Sequence, residues 1–476
     1  MNLRWRCPPR CYSQYYALYR RQTQQATLCR GTRSILGSLD AEVEMTPDVT
    51  MPSRRRFLRD VGGLAALAAA VGAPRESAAG PLGGRSAAAE RAAQPPRIRI
   101  RAVDAYPVYI NQRSEGLLDA PSFSSDDDPR RWRYGGPFEQ LPSAIIAVIK
   151  TDQGITGFGM GAGGSAAVEI IDGHLKHLLI DANPLNVEQL WDQMYSSALF
   201  YGRRGLFAMA LSAVDNALWD IAGKHAGQPV YQLLGGATRD RIALYQTGGD
   251  VTRGKANGIR HFKRGIQVGP QTPRPQLDRV IDSVLAARET MGPDGNLMTD
   301  CVSRTGTVEW AVPFAERLRP ANLYFMEELL SPDDVFGYAE LVQRIGGGGP
   351  GWTKVACGEH EYTEHGFNVL VRLGSAEILQ PDITWCGGTT AGRRIARLVE
   401  AAGLEIIPHR GGSSWGLPIA LTSASCTMAE SFPAGSTLLD AMSPLVENGD
   451  VLAPEAPGFG TTLTEELVLD QRLSSA

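Results

Sequence analysis

The sequence predicts an α/β protein whose largest part is a parallel (β/α) barrel of the TIM type. From Ile242 onward, short β-rich runs alternate with helical stretches: Ile242-Ala-Leu-Tyr245, Asn296-Leu-Met-Thr299, Leu323-Tyr-Phe-Met326, Thr353-Lys-Val-Ala356, Glu377-Ile-Leu-Gln380 and Leu404-Glu-Ile-Ile-Pro408. Strands that alternate with helices form parallel βα units, and a closed barrel accommodates a long series of them. A second observation is that an ionisable side chain follows five of these runs: Asp300, Glu327, Glu359, Asp382 and His409, spaced 27, 32, 23 and 27 residues apart. Each spacing is about one βα unit, so the five side chains gather on one face, the C-terminal face where barrel active sites lie. The alternative is an open doubly wound sheet, but no G-x-G-x-x-G phosphate turn follows a strand.

Taken from its start, the chain opens with residues 1–44, which read as a non-native or disordered extension, since Met45 or Met51 would start the next segment more naturally. Residues 45–95 read as an export signal and linker. Ser53-Arg-Arg-Arg-Phe-Leu-Arg59 precedes a charge-free stretch from Val61 to Ala73, too short to span a bilayer and flanked as a signal peptide is. The paired arginines point to the twin-arginine route, and so to a periplasmic or otherwise exported protein without stable membrane association once the signal is removed. The Ala/Gly/Pro/Ser bias that follows, to about Pro96, reads as linker.

Residues 96–236 form the next expected unit. Arg99-Ile-Arg-Ala-Val103 and Ser143-Ala-Ile-Ile-Ala-Val-Ile-Lys150 read as strands, the second closed by an Asp152-Gln-Gly turn. The polar, aromatic-containing stretch 111–141 between them reads as a functional loop or lid. Helical patterning runs from Ala166 to Leu234 and stops at Gly235-Gly236. The barrel is expected over 237–445 and a C-terminal segment over 446–476.

Composition excludes several classes. Hydrophobic content of 43% with 21% charged residues suits a globular protein with a normal core. A net charge of −4 with scattered Lys and Arg leaves no basic footprint for nucleic acid. Seven cysteines form no Cys-x-x-Cys knuckle and are too sparse for a disulfide scaffold; Cys301, Cys357, Cys386 and Cys426 read as buried or strand-end thiols.

The chemistry of the strand ends is more informative. Asp300, Glu327 and Glu359 could each be a strand-end cap or ion-pair partner, but three carboxylates in phase and no thiolate suit a hard cation, Mg²⁺ above others. His409 is the candidate base, because imidazole titrates near working pH, and Asp382 one unit earlier is placed to fix its tautomer. A proton α to a carboxylate is only weakly acidic. Removing it puts a second negative charge on the carboxylate, and a divalent cation stabilises that charge most where it develops.

The segment Ala210-Leu-Ser-Ala-Val-Asp-Asn-Ala-Leu-Trp-Asp-Ile-Ala-Gly-Lys224, ending Pro229-Val-Tyr-Gln-Leu-Leu-Gly-Gly236, resembles the signature of the mandelate racemase group of the enolase superfamily. The further runs Leu190-Trp-Asp-Gln-Met-Tyr195, Tyr201-Gly-Arg-Arg-Gly-Leu206, Gly358-Glu-His-Glu361, Gln380-Pro-Asp-Ile-Thr-Trp-Cys-Gly-Gly388 and Ala456-Pro-Gly-Phe-Gly-Thr461 are similar to L-rhamnonate dehydratases. The resemblance covers about residues 97–470. It implies an α+β N-terminal capping domain, a (β/α)7β barrel, a C-terminal return to the cap and a symmetric homo-oligomer. It also implies Mg²⁺ ligands at Asp300, Glu327 and Glu359, a His409–Asp382 base pair, a substrate contact at Glu430, and a site position for His360. The implied activity is loss of water from an acid sugar, giving a 2-keto-3-deoxy product. Epimerisation, racemisation, cycloisomerisation, or binding without catalysis in the periplasm are the alternatives.

Two departures shape that expectation. Relatives often carry a Lys-x-Lys base ending the second barrel strand, whereas this chain has Gly265-Ile-Gln267 there, with Lys263 and Arg264 just before. That favours elimination by one base over racemisation by two, with Gln267 and Lys263 as substrate contacts. Rhamnonate dehydratases also present a His and an Arg from the cap. No histidine occurs here between Ile98 and Gly173, and Arg133 or a neighbouring Arg is left for that role, which points to a different acid sugar.

Overall fold

Three antiparallel strands open the folded chain: β1 (Ile100–Val108), β2 (Ala144–Thr151) and β3 (Thr156–Ala162), in spatial order β1-β2-β3. The computed structural model describes residues 98–108, 144–303, 306–347, 352–431 and 436–472. The export signal and linker, the stretch 111–141 with Arg133, and Cys7, Cys11 and Cys29 lie outside the described residues.

Six successive residues of β2, Ala144 to Ile149, are buried, which matches its unbroken apolar, β-branched run. β3 was not legible as a strand because glycine alternates along it. The glycines have a packing reason: a Cβ on Gly157, Gly159 or Gly161 would lie 2.3, 2.1 or 2.4 Å from the carbonyl oxygens of Ala217, Ala213 and Met209. The two longest helices of the cap are α1 (Val187–Ser197) and α2 (Leu206–Ala226). α2 lies backbone to backbone on β3, and nearly its whole length is buried, polar residues included.

Fifteen elements then alternate: β4 (Arg241–Thr247), α3 (Val251–Ala256), β5 (His261–Gly265), α4 (Arg274–Met291), β6 (Leu297–Asp300), α5 (Val308–Leu318), β7 (Phe325–Glu327), α6 (Val335–Ile345), β8 (Lys354–Cys357), α7 (Thr363–Leu373), β9 (Ile378–Leu379), α8 (Gly388–Ala401), β10 (Glu405–Ile406), α9 (Leu417–Thr422) and β11 (Ala429–Glu430). Strands β4 to β10 pair in order, all parallel, and β11 returns to pair parallel with β4 through Ala429–Leu244 and Glu430–Tyr245. This is the (β/α)7β barrel. Two strands escape the β-rich pattern: β5, which carries two basic residues, and β11, the short pair Ala429–Glu430.

The C-terminal segment first adds a hairpin, β12 (Val446–Glu447) and β13 (Asp450–Leu452), with β13 antiparallel to the N-terminal half of β4. It then reaches the cap, where the Phe459 amide donates to Asp220 at 3.1 Å, Glu465 pairs with Lys150 at 2.7 Å, and Arg472 bridges to Val108. No helix among the described residues is long and apolar enough to cross a membrane.

Candidate active site

Side chains alternate across a strand, so residues two apart share a face. A buried layer inside the barrel is built from Tyr245, Met298, Phe325, Ala356, Ile378, Ile407 and Met428. Two residues beyond four of these, toward the C-terminal mouth, stand Asp300, Glu327, His409 and Glu430. The hydrophobic layer thus sets a floor, and the strand period raises the ionisable residues above it. Glu359 sits one residue further on, just past the end of β8, after Gly358 at φ 126°, a conformation that glycine permits.

The carboxylates of Asp300, Glu327 and Glu359 lie within 4.8 Å of one another. Beneath them Lys263 of β5, only 1% exposed, extends its ammonium to Glu327 Oε2 at 2.7 Å, Glu430 Oε1 at 2.9 Å and Asp300 Oδ2 at 3.8 Å. Burial pushes the Glu327 carboxyl well up and the Asp300 carboxyl up, with neighbouring carboxylates adding to the rise against the opposing pull of Lys263. Burial acts to lower Lys263, but Glu327 and Glu430 hold it well above the ordinary lysine value. Glu327 Oε1 is buried with no hydrogen-bond partner among the described residues. Three convergent carboxylates, one with an orphaned oxygen, form a donor set that fits a hard divalent cation.

The second half of the site is a histidine–aspartate pair. His409 Nδ1 and Asp382 Oδ2 are 2.7 Å apart, with Asp382 buried and His409 partly exposed. Asp382 Oδ1 accepts from the Thr384 amide at 2.7 Å and its hydroxyl at 2.6 Å, so the carboxylate is held at both oxygens. The opposite imidazole nitrogen, Nε2, faces Glu359 Oε2 at 3.5 Å and Glu430 Oε2 at 3.8 Å. Burial acts to lower His409, yet Glu359, Glu430 and Asp382 hold it above the usual histidine value. Asp382 is the converse case: burial acts to raise it, and His409, Arg410 and Thr384 hold it below the usual carboxylate range.

Glu430 is equally constrained. Its carboxylate accepts from the Arg410 amide at 2.8 Å and from the Thr247 hydroxyl, besides pairing with Lys263. Burial opposes its ionisation, but Lys263, His409 and these donors bring it down to about 2. His360 Nδ1 meets Glu328 Oε1 at 2.7 Å and Glu359 Oε1 at 3.4 Å; against burial, these carboxylates raise it to about 9. The Trp385 ring lies 5.6 Å from His360 and 5.2 Å from His409, with the Arg410 guanidinium over its face at 5.1 Å.

The structure therefore brings Asp300, Glu327, Glu359, Lys263, Asp382, His409, Glu430 and His360 into one cluster at the C-terminal mouth. Gln267 is exposed on the loop just beyond β5. Sequence reasoning missed Glu328, a buried residue at φ 45° beside a strand-end Glu, and Thr384, whose place two residues after Asp382 is the local signal of a side-chain-capped turn.

Comparison with known proteins locates the two folded parts. Residues 139–235 match the family model "Mandelate racemase / muconate lactonizing enzyme, N-terminal domain", and residues 250–467 match "Enolase C-terminal domain-like". An L-rhamnonate dehydratase of Saccharopolyspora erythraea is 35% identical over 334 residues, covering 68% of this chain and 84% of the relative. The crystal structure of the rhamnonate dehydratase of Gibberella zeae complexed with Mg superposes with a TM-score of 0.67 at 28% identity, over 79% of this chain and 96% of that one. A racemase of Streptomyces coelicolor with bound magnesium gives 0.65 at 28% identity, over 79% and 100%.

Proposed function

We propose that this chain, which belongs to the mandelate racemase / muconate lactonizing enzyme family of the enolase superfamily, is a Mg²⁺-dependent acid-sugar dehydratase. The observation that carries this reading is the one-sided acid–base arrangement of the site. His409 has an orienting partner on Nδ1 and directs Nε2 toward the carboxylate cluster. Lys263, the lysine nearest on β5, is engaged by three carboxylates and held protonated, so it offers no second base. Gly265, opposite Asp300 in the β5–β6 register, offers no side chain in its place. Racemisation needs a base on each face of the α-carbon, whereas elimination runs with one. The named activity of the dehydratase relatives supports the same choice.

Asp300, Glu327 and Glu359 would hold the cation, which when bound supplies positive charge against the carboxylate that becomes doubly charged. His409 Nε2 takes the α-proton, and the C–H electrons pass into the carboxylate as an enediolate. The electrons then return to expel the β-hydroxyl, and the imidazolium delivers its proton to that oxygen, so that water leaves. The resulting enol takes a proton at the β-carbon and becomes the 2-keto-3-deoxy acid. Asp382 keeps the Nδ1 proton in place throughout and stabilises the imidazolium. Glu430, its charge fixed by Lys263 and the Arg410 amide, is placed to accept a substrate hydroxyl near His409. The twin-arginine-type signal supports export, which N-terminal sequencing of mature protein from the periplasm tests.

The activity is tested by incubating the protein and Mg²⁺ with a library of acid sugars and detecting 2-keto-3-deoxy products as semicarbazones. The expected result is product from at least one acid sugar, abolished by EDTA and by His409→Asn. No product from any member, together with exchange of the α-proton into solvent, would assign the protein to the racemising branch instead.

A further inference from the structure

The signature helix α2 has no residue in the cluster just described, yet it carries a buried polar stripe. Ser212, Asp215, Asn216 and Trp219 stand at i, i+3, i+4 and i+7, one face of the helix. Every member bonds to the start of α8 or to the turn before it. Ser212 Oγ accepts from the Gly387 amide at 2.9 Å. Asp215 accepts from the Thr390 amide at 2.8 Å and hydroxyl at 2.7 Å, and Trp219 Nε1 donates to that hydroxyl at 2.9 Å. Asn216 Oδ1 accepts from the Thr389 amide at 3.0 Å and hydroxyl at 2.9 Å. The first N–H groups of a helix have no partner inside it. α8 has no side-chain cap of its own, and the cap helix supplies one from outside.

The approach is too close for ordinary residues. Gly387 and Gly388 take φ of 115° and 83°, and a Cβ on Gly388 would lie 2.5 Å from Asp215 Oδ2. The turn that enters α8 is thus shaped against α2.

That turn is also the one that carries Asp382. Asn216 Nδ2 donates to the Ile383 carbonyl at 3.3 Å and to Met160 of β3 at 3.2 Å. Next to Ile383, the Asp382 carbonyl accepts from the amides of Trp385 at 2.9 Å and Cys386 at 2.7 Å, and its carboxylate is held by Thr384. A single carboxamide, fully buried, therefore ties the cap sheet, the Asp382 turn and the α8 amide together.

We infer that Asn216 is a positioning residue for the base: from the capping domain, it fixes the turn that aims the Asp382 carboxylate at His409 Nδ1. This rests on His409 being the base. Its path to the site runs through Ile383 and Asp382, so loss of Asn216 leaves substrate binding largely intact and misaligns the imidazole.

The test uses the full chain with Mg²⁺, labelled with ¹⁵N at histidine, as wild type, Asn216→Ala and Asn216→Ser, with Asp382→Asn as the limiting case. The low-field Nδ1–H signal of His409, assigned by its absence in His409→Asn, is read alongside the thermal midpoint and turnover of whichever acid sugar the library yields. In Asn216→Ala the signal is expected to shift or broaden toward the Asp382→Asn pattern. kcat is expected to fall about 10- to 100-fold, the usual effect of removing an outer-shell partner, with KM changed by less than about threefold. A lower midpoint with a wild-type imidazole signal and wild-type kcat would overturn the inference, leaving Asn216 a purely structural residue. Should the Ala variant fail to fold, the Ser variant decides by the same signal, since it keeps a small polar group at the position but loses the Nδ2 donor to Ile383. The imidazole signal needs no turnover, so a failure of the dehydratase reading and a failure of this inference are seen separately.

Discussion

Replacing Asp382 with Asn separates holding the turn from holding the tautomer. In the native site Asp382 Oδ1 accepts two hydrogen bonds from Thr384, at 2.7 and 2.6 Å, and Oδ2 accepts the Nδ1 proton of His409 at 2.7 Å. An asparagine must keep its one oxygen at Thr384, because an amide NH₂ there would face the Thr384 N–H. Its NH₂ then faces His409 Nδ1, which has to become an acceptor. The ring proton moves to Nε2, and the lone pair that should take the α-proton is lost. At Asp–His pairs of serine proteases the same tautomer error lowers kcat by about 10⁴. At about 1.36 kcal/mol per tenfold, a loss of 10³ to 10⁴ here is about 4 to 5.5 kcal/mol of transition-state stabilisation. The assay is steady-state turnover of Asp382→Asn with saturating Mg²⁺, beside the histidine tautomer read by NMR. A variant with kcat within about tenfold of wild type and an Nε2-protonated ring would refute the reasoning, for the base would then not depend on its lone pair.

Three further substitutions address the charge balance and the cap. Glu327→Gln keeps an acceptor for Lys263 but removes one ligand charge. Wild type should gain about 2.7 kcal/mol of stability at free Mg²⁺ a hundredfold above Kd, and the variant should gain almost none, as followed by thermal unfolding with and without Mg²⁺. Lys263→Met leaves Glu327 and Glu430 buried without their counter-ion. A loss of about 3–5 kcal/mol in urea unfolding of the metal-free protein is expected, and an unchanged midpoint would show that the ammonium does not hold the cluster. Asp215 is fully buried, and burial raises its carboxyl to about 7, against the hydrogen bonds from Thr390. Its folded pKa lies above its unfolded value near 3.9, so the folded state binds more protons between about pH 4 and pH 7 and loses stability as pH rises through that window. Asp215→Asn should remove on the order of 4 kcal/mol of that pH dependence, and equal slopes of unfolding free energy against pH in the two proteins would contradict it.

How far the fold was readable follows from what each strand buries. β6 and β7 are apolar runs that end in a carboxylate, and β8 is followed two residues later by Glu359, so their runs and their phase were visible in the chain. β5 was not, because its inward residue is Lys263, which is tolerated only where folding brings Glu327 and Glu430 to it. β3 hid behind glycines whose purpose appears only once α2 lies on them. Asp382 and His409 were spaced by one βα unit, but Thr384 and Arg410, which hold Asp382 and Glu430, act through a turn and a backbone amide that no residue pattern announces. The role of Asn216 was illegible for the same reason: its partners lie 56, 167 and 173 residues away in sequence.

The chemistry proposed for His409 is tested most directly by running the reaction in ²H₂O and following substrate and product by ¹H NMR. One-base elimination predicts a 2-keto-3-deoxy product carrying one deuterium at C3, formed only with Mg²⁺ and absent in His409→Asn. Recovery of substrate deuterated at its α-carbon, with no 2-keto-3-deoxy acid formed, would contradict the proposal.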